Sequence, residues 1–181
     1  GQAEHQDTVF INFIQAWGPD GQPLDRYEKN RRVPFGEFIP FRSIISKLGD
    51  VSAVPRDARI GHGHGVIRTP SGKMGVVISW EVFFSDRARD AIGHGGQVLL
   101  NPTNASSFSN AQMPSLELGA ARLRAIETGR DVVQAAPTGF SEFVTPNGTV
   151  IDRTSVSEQA VIRHVVELRD GRTWYVTLGD R

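Results

Sequence analysis

Three short stretches carry side chains that could do acyl chemistry together. The first runs Arg26-Tyr27-Glu28-Lys29-Asn30 and continues through Val33-Pro34-Phe35-Gly36-Glu37-Phe38-Ile39-Pro40. The second is the apolar run Gly75-Val76-Val77-Ile78 followed by Ser79-Trp80-Glu81. The third joins Asn101-Pro102-Thr103-Asn104 to Ala121-Arg122-Leu123-Arg124-Ala125-Ile126-Glu127-Thr128-Gly129-Arg130. In the second stretch an apolar strand breaks into an acidic helix start. A nucleophile at such a turn stands clear of the sheet, and the backbone N–H of the next residue, here Trp80, can donate to an oxyanion. Glu81 falls in the first helical turn, where the dipole favours a carboxylate. Lys29 is one of only three lysines, at a strand end where an ammonium can support a tetrahedral oxyanion. Each residue also has a plainer reading. Ser79 could be an N-cap, Lys29 a solvated charge, and Glu37 a loop carboxylate paired with a nearby arginine.

The elements that must position these residues follow from local pattern. Thr8 to Trp17, rich in β-branched and aromatic residues, predicts a strand. Gly18-Pro19-Asp20-Gly21 is a turn, with a second strand near Leu24 to Tyr27. Residues 30 to 42 suit an ordered loop, Arg42 to Leu48 a short helix stopped by Gly49, and residues 50 to 65 a loop. Gly65 to Thr69 and Met74 to Trp80 predict a hairpin with a buried second strand. Glu81 to Ile92 then predicts an amphipathic helix on Val82, Phe83, Ala88, Ala91 and Ile92. Gln97 to Leu100 is a strand and Asn101 to Ala111 a polar loop. Pro114 to Gly129 is a helix whose core face carries Leu116, Ala120, Leu123 and Ile126. Asp131 to Ala136 is a strand, and Gly139 to Thr145 with Thr149 to Asp152 a hairpin around Asn147-Gly148. Two further alternating strands are expected at Ala160 to Leu168 and Thr173 to Leu178. The class is mixed α/β (α+β).

Composition bounds the rest. The 181 residues suit one domain and carry 20 basic and 20 acidic side chains, so a nucleic-acid binder driven by phosphate neutralisation is excluded. There are no cysteines, which removes disulfides, Cys-ligated metals and a thiol nucleophile. No apolar run approaches the roughly 20 residues of a membrane span, and the N-terminus has no signal-peptide pattern, so the chain as given is expected to be soluble. Gly61-His62-Gly63-His64-Gly65 offers two histidines without a recognisable third ligand, so a glycine loop is expected and neither metal nor cofactor. Phe35, Phe38, Phe41, Phe83, Phe84 and Phe108 could line an acyl pocket, with core packing the default.

The three stretches in register resemble the carbon–nitrogen hydrolase (nitrilase) superfamily, most closely the periplasmic domain of its apolipoprotein N-acyltransferase branch. The likeness rests on Tyr27 and Lys29, on Val33 to Glu37 with Phe38 and Pro40, on Ser79-Trp80-Glu81, and on Ala121 to Arg130, and it runs from about Thr8 to the C-terminus. It implies a four-layer α-β-β-α sandwich. It also implies acyl transfer from a phospholipid donor to the N-terminal amine of a lipoprotein acceptor, through a thioester on a cysteine. Matched residue by residue, Lys29 takes the oxyanion-supporting lysine role and Ser79 the nucleophile position. Glu37 and Glu81 match two further acidic residues, and the Trp80 N–H completes the oxyanion hole. Membrane attachment through segments outside this chain, at the extracytoplasmic face, goes with that branch.

Two departures qualify what the resemblance implies. Serine stands where the family's cysteine should be. Its hydroxyl is far less acidic than a thiol and normally needs a histidine base, so acyl transfer should be slow or absent. His62, His64 and His94 are the histidines that could approach it. The family's general-base glutamate also has no match. Residues 1–181 are therefore expected to be the C-terminal part of the domain, incomplete at the N-terminal end and completed by a preceding segment or a partner chain. The alternatives are a non-catalytic pseudoenzyme that binds lipoprotein or a partner acyltransferase, and a soluble nitrilase-type amidase.

Overall fold

A computed structural model describes residues 2–6, 9–106, 112–156 and 158–180, the side chains of 2–6 excepted. Its first sheet has three antiparallel strands: β1 (Gln2–Gln6), β2 (Val9–Trp17) and β3 (Pro23–Glu28), in that order. The second has six: β4 (Val66–Thr69), β5 (Gly72–Val76), β6 (Val98–Pro102), β7 (Val132–Ala135), β8 (Glu142–Val144) and β9 (Val150–Arg153). Its centre, β5-β6-β7, is parallel, and the hairpins β4-β5 and β8-β9 flank it antiparallel. The central strands read as near-continuous apolar runs because both their faces are covered.

Adjacent residues on those strands serve opposite layers. Val77, Leu99 and Val132 pack with Ala88, Ala91 and Ile92 of α2 (Ser85–Gly93) and with Ala121 and Ala125 of α3 (Gln112–Thr128). Val76 and Leu100 turn the other way and join Tyr27, Ile67, Ile78, Ile14 and Ala16 between the two sheets. The described residues thus form a helical layer, a six-stranded sheet and a three-stranded sheet. The expected second helical layer is not among the described elements; the short helix α1 (Arg42–Leu48) forms where expected but buries no residue. No helix among the described residues is long and apolar enough to cross a membrane.

Five expectations need correction. The helix foreseen over Glu81 to Ile92 is two pieces, a 3-10 turn at Ser79–Phe83 and then α2, with Phe84 extended between them. The preceding strand stops at Val76, short of Trp80, because the chain must turn before Ser79. The face of α3 is inverted. Leu116, Leu123 and Ile126 are exposed, whereas Ala121, Arg124, Ala125 and Thr128 are buried with Glu117. Close approach to the sheet and α2 selects the small side chains, and Arg124 pairs with Glu127 at 2.9 Å.

No strand forms over residues 160–168. Val161 and Val165 are exposed, and the neighbouring backbone bonds to loop groups: Glu167 N–H to Asp131 Oδ2 at 2.9 Å and Arg169 N–H to Gln97 O at 3.0 Å. The last segment is a short helix, α4 (Trp174–Leu178), capped by the Thr173 hydroxyl, which accepts from the Val176 N–H at 3.1 Å. Val176 alone of that helix is buried, against the α2–α3 core.

The inverted face of α3 is testable by urea denaturation. Leu123→Gln is expected to change the unfolding free energy by less than about 0.5 kcal/mol. Ala121→Leu is expected to cost about 1–3 kcal/mol through overpacking.

Candidate active site

Lys29 follows the end of β3 and is almost fully buried, so the solvated-charge reading fails. Its ammonium donates to Glu37 Oε1 at 2.7 Å. Glu37 pairs with this lysine rather than with an arginine. Its carboxylate also accepts from Asn12 Nδ2 at 2.5 Å, out of β2, and from the Val33 N–H at 2.8 Å. A buried ammonium and a carboxylate held by neutral donors fix one another in position; losing either partner would leave an uncompensated charge.

Ser79 opens the 3-10 turn with φ 51°, a left-handed conformation that a non-glycine residue seldom adopts. It is not an N-cap; that position belongs to Ile78. Its N–H donates to Asn101 Oδ1 at 3.0 Å, at the end of β6. Asn101 Nδ2 donates to Gln134 Oε1 at 2.7 Å, and Gln134 Nε2 to the Phe140 carbonyl at 2.9 Å. This amide relay runs through three adjacent parts of the sheet and pins the strained turn from behind. Backbone held off its preferred region in this way marks functional turns.

Glu81 is fully buried and does not touch the Ser79 hydroxyl by hydrogen bond. Oε1 accepts from Tyr27 Oη at 2.9 Å and from the N–H groups of Asn30 and Arg31 at 2.7 and 3.0 Å. Oε2 accepts from the Ile78 N–H at 2.8 Å. Arg87 Nη2 donates to Tyr27 Oη at 2.9 Å. Burial first, and then the Glu81 charge, push the Tyr27 phenol far above its ordinary range, so it remains a donor. Glu81 therefore positions the Lys29 and Ser79 segments relative to each other.

The residue that sequence reasoning missed is Glu117. Its carboxyl lies on the buried side of α3, accepts from Thr103 Oγ1 at 2.9 Å and sits 3.4 Å from Ser79 Oγ. Burial pushes it up, and the Thr103 and Ser79 hydroxyls and the Lys29 charge act in the opposite direction. Lys29, Ser79 and Glu117 are thereby brought into one electrostatic neighbourhood. The helix face assumed from large apolar residues placed Glu117 on the wrong side. The stripe Glu117, Ala121, Arg124, Thr128, at helical spacing, carries the correct signal.

The histidines go elsewhere: His64 and His94 bond to Asp90, and the recorded hydrogen bonds of Ser79 go to Asn101 and Glu117. Of the phenylalanines, Phe35 and Phe41 are exposed in left-handed backbone on the loop that carries Glu37. Core packing does not account for those two. Phe83 and Phe84 pack around Trp80, Phe38 lies under the Arg32 guanidinium, and Phe108 is outside the described residues.

The left-handed turn at Ser79, the buried Lys29–Glu37 pair and the buried Glu117 thus gather on the layered sheets. Residues 1–175 match the carbon-nitrogen hydrolase family, and the chain belongs to it. Among its relatives are apolipoprotein N-acyltransferases of Mycolicibacterium smegmatis and of a Nostoc species. The first is 33% identical over 167 residues, covering 92% of this chain and 28% of the relative. The second is 32% identical over 173 residues, covering 94% and 34%. The chain therefore spans about a third of the length of these curated relatives. Similar solved folds are Saccharomyces cerevisiae Nit3, of the nitrilase superfamily (TM-score 0.63, 20% identity, 83% of this chain and 51% of that one), and a carbon-nitrogen hydrolase from Helicobacter pylori G27 (TM-score 0.63, 19% identity, 83% and 55%).

Behind the amide relay lies Glu142 on β8, fully buried, with neither carboxyl oxygen partnered among the described residues. Burial pushes its pKa up to about 7, against the opposing pull of Arg153 and Arg122. A raised carboxyl pKa means that the unfolded chain ionises first. Stability then falls as pH rises from about 4.5 towards 7 and is level above that. Urea denaturation of wild type and Glu142→Gln at pH 5 and pH 8 should show the difference between them shifting by about 2.5 kcal/mol in favour of the variant at the higher pH. A pH-independent difference would show that Glu142 is not neutral in the fold.

Proposed function

We propose that this chain is the acyl-transfer domain of an apolipoprotein N-acyltransferase-type protein, in which serine at the nucleophile position holds turnover very low. The observation that carries the reading is Ser79 itself: left-handed at the strand-to-helix turn, its hydroxyl facing a buried carboxyl. In the family reaction the position-79 side chain attacks the ester carbonyl of a phospholipid. The carbonyl oxygen becomes an oxyanion, for which the Lys29 ammonium and the Trp80 N–H are the donors, and the lysolipid alcohol leaves. The free amine of a lipoprotein then takes the acyl group from the enzyme. Glu37 holds Lys29, and Glu81 holds the two segments in register. Phe35 and Phe41, exposed on the Glu37 loop, offer apolar surface to an acyl chain.

Serine changes the proton balance. Burial raises the proton affinity of Glu117 above that of an ordinary carboxylate, yet it stays far below that of a serine hydroxyl, so little alkoxide forms. A thiol at the same place would ionise readily beside the Lys29 charge. In this reading a segment preceding residue 1, or a partner chain, supplies the general base. Further segments outside the chain hold the domain at the extracytoplasmic face of a membrane.

The test is Ser79→Cys in the full-length membrane-embedded polypeptide that the reading requires, incubated with phospholipid vesicles and followed by mass spectrometry of the acyl-enzyme. Wild type should show no adduct. The variant should accumulate a thioester adduct in the same incubation, because a thiol ionises and attacks far more readily than a hydroxyl. Absence of any adduct in the variant would sink the site assignment, and rapid wild-type turnover with a lipopeptide acceptor would sink the claim of suppression.

A further inference from the structure

Away from Ser79, three metal-ligating side chains converge at the surface. His64 comes from the glycine loop 61–65, while Asp90 lies in the last turn of α2 and His94 is its C-cap. His64 Nδ1 lies 3.0 Å from Asp90 Oδ1, and His94 Nδ1 lies 3.1 Å from the same oxygen. One ligand atom from each of the three falls within 4.8 Å of the other two. The two imidazoles stack, with centroids 3.5 Å apart and planes 12° from parallel, and His94 Nδ1 also lies 2.9 Å from the Asp90 carbonyl, so a ring must turn for both imidazoles to meet one ion. A tetrahedral zinc with bonds of roughly 2.0–2.1 Å sets its ligand atoms about 3.3 Å apart, so the cluster is close to the right size.

We propose that His64, Asp90 and His94 bind a divalent transition-metal ion of zinc's class. Two imidazole nitrogens with one carboxylate oxygen suit such an ion and not calcium or magnesium, which take oxygen ligands. Asp90 and His94 also line a surface pocket of about 400 Å³ with Asp86, Arg89 and Arg172, from which water would complete the shell. The supporting shell is already in place. Arg87 Nη1 holds the other carboxylate oxygen, Asp90 Oδ2, at 3.2 Å, and Arg87 Nη2 donates to the Gly63 carbonyl at 3.0 Å. Partners of that kind orient a ligating carboxylate. Gly63 at φ 111° supplies the turn that sends His64 towards α2. The bound ion would clamp loop 61–65 onto α2 and, through Arg87 and Tyr27, brace Glu81.

The test is calorimetric titration of zinc chloride into the full 181-residue chain, with cobalt(II) absorption as a second readout. One ion per chain is expected, with intense visible bands from a low-coordinate cobalt site and a raised melting temperature. His64→Ala and His94→Ala, both at exposed side chains, should each weaken binding at least tenfold. His62→Ala, in the same loop, should leave it unchanged. No saturable uptake, half an ion per chain, or equal affinity in His64→Ala would each overturn the proposal.

Discussion

A carboxylate shut away between two sheets must find all its hydrogen bonds there, and Glu81 does so by drawing on three separate segments. Tyr27 comes from the end of β3, Asn30 and Arg31 from the loop after it, and Ile78 from the turn that precedes Ser79. Hydrogen bonds to a charged group contribute about 1.5–3 kcal/mol each, and a charge left unpaired in such a place costs several. The requirement therefore works as a distance constraint. Lys29 lies between two of the donors in sequence, and Ser79 directly follows a third. Satisfying Glu81 sets Lys29 and Ser79 relative to each other, though it bonds to neither of their side chains.

The strands could be read because their residues answer to local rules. The aromatic and β-branched run ending at Trp17 and the Asn147-Gly148 hairpin formed where the pattern placed them. So did α1, stopped by Gly49. The failures share a different cause. The valines of residues 160–168 alternate as a strand would, but the backbone there bonds to Asp131 and Gln97 instead of to a sheet edge. α3 buries alanines and a glutamate because its separation from the sheet, not its apolar content, chooses the inward face. Lys29, Glu37, Ser79 and Glu81 were visible as residue types at family spacing. Glu117 was not, since it reaches Ser79 from 38 positions away only after α3 has packed.

Two buried acidic groups on the helix side of the sheet have opposite roles. Glu117 has hydroxyl partners and faces the turn at Ser79. Glu142 has no partner among the described residues and lies behind the relay. The Glu117 charge adds to burial in holding the Glu142 proton.

The left-handed backbone at residue 79 limits which side chains can occupy that position. Cysteine and serine share an unbranched Cβ and differ by one atom, so either can enter the turn held by Asn101 without moving the main chain. Threonine, the other hydroxyl nucleophile available to proteins, is branched at Cβ and is a steric outlier at positive φ. Substitution between thiol and hydroxyl is thus open along a single path. The turn admits serine with its shape unchanged, and under the proposed function that exchange removes most of the reactivity a thiol would bring.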